Sequence, residues 1–279
     1  MTTPSTVGFV GLGQIGTPMA RRLVSGGVTV YDVRAEAMTA LVEAGAKAAA
    51  SVAELAAQCA VVSVMVLDDE QVRSVAAEVF PAAAPGTVLA VHSTIGPDTA
   101  IELAAEAEPF GVEVVDAPVS GGAMGAEAGT LAVMVGGSDR AFARCREVFG
   151  AFSNLVLHMG PVGAGTRTKL ARNLLHFVAF AAAAEAQRLA EASGLSLRDL
   201  ARVVRHTDAI TGGPGAIMLR DTTAPLADDD PLLGLMRHVH GLGAKDLSLA
   251  LQLADELSVD TPLARTALDR LAAALGVAR

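Results

Sequence analysis

Residues 7–16 read VGFVGLGQIG, and the fold turns on this stretch. The short apolar run at 7–10 passes directly into Gly11, Gly13 and Gly16, spaced G-x-G-x-x-G, and then into the helix-forming sequence TPMARRL. Each glycine in a strand, turn and helix of this kind has a mechanical task. Gly11 permits the tight turn, Gly13 lets backbone approach a pyrophosphate, and Gly16 lets the helix pack closely on the strand. The helix N-terminus offers unpaired N–H groups and a positive dipole end to phosphates. The glycines alone also fit a turn that binds nothing. Asp32 decides between the two, because it follows the next strand-like run, Val28–Tyr31, about 20 residues past the first glycine. A carboxylate there accepts from the ribose hydroxyls of a dinucleotide. The loop set expected to bind cofactor is therefore Gly11, Gly13, Gln14, Ile15 and Gly16, with Asp32. A carboxylate at 32 repels a 2′-phosphate and favours NAD, while Arg34 keeps NADP possible.

Outward from the loop, the sequence alternates between two periods. Apolar, β-branched runs at 6–10, 28–31, 60–66, 87–91 and 112–115 alternate with Ala-, Glu- and Leu-rich stretches of helical length. Strand and helix in repeated alternation imply a parallel sheet covered on both faces. Ser51 with Glu54 has capping-box spacing, and Pro97 and Pro109 bracket a helix between them. Two further strands fit at 130–135 and 155–158.

After Gly160 the strand signals stop. Residues 166–192 contain neither proline nor glycine, and predict a helix about 40 Å long at 1.5 Å per residue. Its apolar residues run almost all round, so it is expected to be buried in its own domain or against another subunit. Gly194 ends it, and helices follow at 196–205, within 232–257 and at 261–275. The fold class is α/β: a Rossmann-type doubly wound sheet domain over 1–160, then an all-α domain over 161–279.

The bulk composition narrows the function classes. The chain has 279 residues, 52% of them apolar and 18% charged, which is ample for a sizeable core. A net charge of −9 lacks the basic footprint of a nucleic-acid or anionic-membrane binder. The longest apolar stretch, Leu174–Ala184, contains His176, ends at Glu185 and is too short for a membrane span. Met1 to Thr6 carries no basic residue that would open a signal peptide. Cys59 and Cys145 lie in segments read as helical and form no metal pattern, so both read as buried free thiols. A cytoplasmic protein with no bound metal is expected.

Two further segments carry chemistry. Residues 116–131 read DAPVSGGAMGAEAGTL, where Ser120, Gly121 and Gly122 offer a hydroxyl and backbone N–H groups suited to a carboxylate. Residues 160–175 read GPVGAGTRTKLARNLL, and Lys169 and Asn173 share one face of the helix predicted there. His176 lies further along that face and reads as a core or supporting residue.

Together with GLGQIGTPMARRL and KDLSLAL at 245–251, these segments make the chain resemble the β-hydroxyacid dehydrogenase family, in its 3-hydroxyisobutyrate dehydrogenase-like branch. The resemblance spans nearly the whole chain. It implies Lys169 as general acid and base, Asn173 as the residue that positions substrate, and Ser120, Gly121 and Gly122 as the carboxylate cradle. It also implies Thr94 beside the nicotinamide, Lys245 closing over the cofactor, and Val66, Leu67 and Gln71 lining the cofactor site. A small carboxylate substrate and a homodimer or homotetramer follow from it. The chain departs from the family pattern at Leu67, where proline is common, and at Val91, where an acid is common. The segment between Arg22 and Asp32 is shorter than usual, and 207–240, with Arg220, His238 and His240, matches no substrate-specific pattern.

Alcohol oxidation needs a hydride acceptor, which a nicotinamide provides, and a base for the hydroxyl proton. Lysine at its ordinary pKa of about 10.4 is a weak choice, and burial in an apolar cleft improves it. A semialdehyde or imine reductase on the same scaffold, or a non-catalytic cofactor-binding module, are the competing readings. A lysine at 169 together with Asn173 argues for hydroxy-acid chemistry.

Overall fold

The computed structural model describes residues 6–277, in two compact units, Met1–Arg172 and Asn173–Arg279. The two units meet between Arg172 and Asn173.

The first unit is built on nine strands: β1 (Val7–Val10), β2 (Val28–Tyr31), β3 (Lys47–Ala48), β4 (Val61–Val64), β5 (Val88–Val91), β6 (Glu113–Asp116), β7 (Val119–Ser120), β8 (Leu131–Gly136) and β9 (Ser153–Gly160). Their order is β3-β2-β1-β4-β5-β6-β8-β7, with β9 paired to β8. The first six are parallel, and β8 runs antiparallel to β6 and β7. This is the doubly wound order, and its switch point lies between β1 and β4, where ligands bind beyond the strand ends. The intervening helices are α1 (Gly16–Leu23), α2 (Thr39–Glu43), α3 (Val52–Gln58), α4 (Asp69–Ala82), α5 (Pro97–Ala107), α6 (Gly122–Ala128) and α7 (Asp139–Gly150).

Both faces of the sheet are dry. One carries Phe9, Met19, Val30, Leu131, Phe149 and Phe152, the other Leu55, Val62, Val79, Leu89 and Leu103. That is why strands β1, β4 and β5 are apolar at nearly every position rather than alternating. Ser51 caps α3 by accepting from the Glu54 N–H at 3.1 Å. The Glu54 carboxylate reaches back to the Ala50 N–H, one residue before the position a capping box uses. Pro109 does not end its helix abruptly, because a 3₁₀ turn over Glu108–Phe110 carries the chain on to Gly111. Cys59 sits just beyond α3 in extended backbone, not in a helix, while Cys145 lies in α7. Both are buried free thiols, pushed up to about 11 and about 12 by burial.

The long helix α8 (Ala164–Ala192) has 29 residues. It is followed by α9 (Leu197–Thr211), α10 (Leu233–Glu256) and α11 (Pro262–Ala274). Within the second unit the buried Glu185 carboxylate accepts from the Leu263 and Ala264 N–H groups at 2.8 and 3.0 Å, capping α11. Burial of α8 within its own domain does not hold. Leu174 is 70%, Phe177 60%, Val178 52% and Phe180 58% exposed in the single chain. No described helix is long and apolar enough to cross a membrane.

Candidate active site

The glycine loop lies where β1 ends and α1 begins. Gly11 has φ +92, and a side chain there would collide with the Met65 carbonyl. A Cβ at Gly16 would collide with the carbonyl of Gly11. At Gly13 the result is the opposite: an added Cβ meets nothing within 4 Å, because the backbone faces open space. The Ile15 residue preceding α1 supplies no side-chain cap. The loop is therefore tight against protein on two sides and bare on the side a phosphate would occupy, which fits a dinucleotide.

Asp32 follows β2 and reaches back to this loop. Its Oδ2 accepts from the Leu12 N–H at 2.7 Å, and its Oδ1 accepts from the Arg34 N–H at 2.9 Å. The Arg34 guanidinium adds an ion pair at 3.3 Å. Burial pushes the carboxyl up, but these donations and the guanidinium outweigh it and hold the group below the usual carboxylate range.

Gly11, Gly13, Gln14, Ile15, Gly16, Asp32, Val66, Leu67 and Gln71 all line one cleft of about 640 Å³ within the first unit. Tyr31, Arg34, Ser74 and Glu78 line it as well. Leu67 is 80% exposed there, and its N–H donates to the Gln71 side chain at 3.1 Å. Thr94 is exposed in the loop after β5, beside Ser93. The Ser93 hydroxyl accepts from the Val66 N–H at 2.9 Å and donates to the Val66 carbonyl at 2.8 Å, fixing the loop after β4.

Lys169 lies on the second turn of α8 and is buried. Its Nζ donates to the Val119 carbonyl at 2.7 Å and to Ser120 Oγ at 3.0 Å. Burial, and then the nearby Arg172 charge, hold this amine below the usual lysine range. Ser120 ends β7, and Gly121 and Gly122, both exposed and both at positive φ, lead into α6. The first unit thus brings lysine and the Ser-Gly-Gly turn into contact. Asn173 and Lys245 belong to the second unit. Asn173 stands one turn beyond Lys169 along α8, and Lys245 is exposed on α10, paired with Asp246 at 3.0 Å.

Two buried residues near these loops went unread in the sequence. His92 is fully enclosed beside Phe9, Phe149 and Phe152. Its Nδ1 must donate to the Ala117 carbonyl at 2.8 Å, which leaves Nε2 to accept from the Ser63 hydroxyl at 3.1 Å. Burial pushes the imidazole down to about 4. Asp116 is the other, and its signal was the acid that opens DAPVSGG at a strand end. Among the described residues, no cluster of three or more His, Cys, Asp or Glu is placed to hold a metal ion.

Comparison with known proteins agrees with this architecture. Residues 6–160 match the family model described as the NAD binding domain of 6-phosphogluconate dehydrogenase. Residues 163–278 match the model described as the NAD-binding domain of NADP-dependent 3-hydroxyisobutyrate dehydrogenase. An uncharacterized oxidoreductase of Mycobacterium tuberculosis is 56% identical, over 97% of this chain and 93% of its own length. A crystal structure from Mycobacterium avium 104 is 53% identical, covers 99% of this chain and 100% of its own, and superposes with a TM-score of 0.96. The NAD-dependent L-serine dehydrogenase of Pseudomonas aeruginosa is 35% identical, over 94% of this chain and 89% of its own length. The chain belongs to the β-hydroxyacid dehydrogenase family, in its 3-hydroxyisobutyrate dehydrogenase-like branch.

Proposed function

We propose that this chain oxidises the hydroxyl group of a small β-hydroxy acid, of the 3-hydroxyisobutyrate or serine type, to the semialdehyde, with NAD as the hydride acceptor. The observation that carries the proposal is the buried Lys169 amine, hydrogen-bonded to Ser120 Oγ at 3.0 Å. A nicotinamide supplies the hydride-accepting carbon when bound.

The remaining steps fall to the chain's own residues. Gly13, Gln14, Ile15 and Gly16 receive the pyrophosphate on the backbone of the α1 N-terminus. Asp32 receives the ribose hydroxyls, and its charge disfavours a 2′-phosphate. Val66, Leu67 and Gln71 would wall the cofactor, Thr94 would face its nicotinamide, and Lys245 is the residue of the second unit that the family resemblance assigns to it. Ser120 and the N–H groups of Gly121 and Gly122 bind the substrate carboxylate, and Asn173 orients the substrate. Lys169, held neutral more readily by its burial, takes the hydroxyl proton as the C–H bond gives up its hydride. In the reverse direction its ammonium returns the proton to the aldehyde oxygen.

The exposed apolar stripe of α8 supports a second copy of this chain as partner, in a homodimer or homotetramer. The function is tested by following reduced-nicotinamide absorbance with 3-hydroxyisobutyrate, L-serine, glycerate, 4-hydroxybutyrate and 6-phosphogluconate, each with NAD and with NADP. Turnover of a β-hydroxy acid with NAD is expected. Silence on every acid while cofactor still binds would overturn the substrate class.

A further inference from the structure

Asp116 is the last residue of β6, and nothing in the proton transfer or in cofactor binding requires it. It is nonetheless completely buried. Its Oδ1 accepts from the Gly163 N–H at 2.7 Å and its Oδ2 from the Thr166 N–H at 2.6 Å. These are N–H groups at the start of α8 that have no partner within the helix. Burial raises the carboxyl above its usual range, and the two donations oppose this.

The backbone around the carboxylate is packed without slack. A Cβ at Gly165, in the first turn of α8, would collide with the Met134 and Asp116 carbonyls. A Cβ at Gly136, paired with Asp116 across β6 and β8, would collide with the Asp116 carboxylate itself. Such contact between main chains leaves the helix start one place to sit. Three residues past Thr166 on the helix comes Lys169, and three past Asp116, at the start of β7, comes Val119. These two meet at 2.7 Å. Segments 116–120 and 163–169 are thus fastened at both ends, by a carboxylate at one and an amine at the other.

We infer that Asp116 is a positioning residue: it fixes the first turn of α8 on the end of β6 and so sets Lys169 against Val119 and Ser120. This rests on the reading of Lys169 as the proton carrier. An Asn at 116 keeps the shape but supplies one acceptor for two N–H donors and turns its own NH₂ toward the other.

Lys47, Lys169 and Lys245 are the three lysines of the sequence, so the amine can be watched directly. Full-length protein carrying ε-¹³C lysine is titrated by NMR, with Lys169→Arg assigning the signal. In the wild type Lys169 titrates below the usual lysine range. Besides burial, the charge that acts on its amine is that of Arg172. Losing a negative charge at 116 could only lower the amine further, whereas a loosened helix admits water and raises it. Because burial is the largest influence on the amine, Asp116→Asn is expected to move the Lys169 midpoint up toward the usual lysine range. With it kcat falls about 10²-fold, the cost of an ångström-scale misplacement, at unchanged cofactor affinity. Gly165→Ala, which pries at the same turn without touching a charge, is expected to do the same and serves if Asp116→Asn does not fold. Leu103→Ala, a cavity in the sheet core, is expected to lower stability and leave the titration alone. An unmoved or lowered midpoint in folded Asp116→Asn or Gly165→Ala would overturn the inference, as would an equal shift in Leu103→Ala. The NMR titration reads the amine without turnover. A failure of the catalytic reading, seen as an active Lys169→Ala, is therefore distinct from a failure of this one.

Discussion

The Asp32 carboxylate holds the glycine loop directly, through the Leu12 N–H at 2.7 Å. The group proposed to select between cofactors is therefore also a structural part of the turn proposed to bind them. Its second oxygen is occupied by Arg34, so the residue that would welcome a 2′-phosphate is tethered to the residue that repels one.

Asp32→Asn keeps an acceptor for Leu12 but removes the charge. The preference for NAD over NADP is expected to fall about 10- to 100-fold, the worth of a charged hydrogen bond of ~1.5–3 kcal/mol. The ratio of kcat/KM for the two cofactors measures it, and an unchanged ratio would remove Asp32 from the selecting role.

The glycines of the loop separate folding from binding. Gly16→Ala places a methyl against the Gly11 carbonyl and is expected to cost about 1–3 kcal/mol of stability. Gly13→Ala meets open space, so its thermal midpoint should match the wild type while cofactor affinity falls by about tenfold or more. Thermal melts with and without NAD distinguish the two. A Gly13→Ala protein that binds NAD normally would place the phosphates elsewhere.

Much of this was legible because it rests on period and on glycine geometry. β1, the loop, β2 and Asp32 all follow from one run of residues. Strands β3 and β7 escaped, since two residues carry no period, and their existence depends on neighbours rather than on propensity. Lys169 was legible as an unexpected cation in an apolar helix. Asp116 was visible as the acid that opens DAPVSGG, but its role was not, because its two partners lie about 50 residues away and are backbone groups, which leave no mark on residue type. Of the two expectations for α8, burial in its own domain failed and burial against another subunit stays open: an apolar helix tells that a face needs covering, not which molecule covers it.

His92 makes stability depend on acid. Its folded pKa of about 4 lies below its ordinary 6.5, so the unfolded chain binds a proton that the folded chain refuses. The stabilisation is full above pH 6.5 and is lost as pH falls toward 4, by roughly 3 kcal/mol at 1.36 kcal/mol per unit. His92→Asn, whose amide can still donate to Ala117, is expected to flatten the dependence in urea melts between these pH values. An identical slope in the variant would assign the acid sensitivity to other groups.

The stripe Leu170, Leu174, Phe177 and Val178 on α8 is expected to bury against a second copy. Sedimentation velocity should show a dimer or tetramer, and Leu174→Glu with Phe177→Glu should shift it to the monomer. A wild-type monomer at micromolar concentration would refute the pairing.

The most direct test compares wild type and Lys169→Ala on the best β-hydroxy acid, by rate of nicotinamide reduction at saturating NAD and by NAD affinity. The account predicts a wild-type rate that rises with pH through a midpoint below the usual lysine range. It predicts a loss of about 10²- to 10⁴-fold in Lys169→Ala, the span of a missing acid-base group, with NAD affinity kept. A variant that turns over within a few-fold of wild type would contradict it.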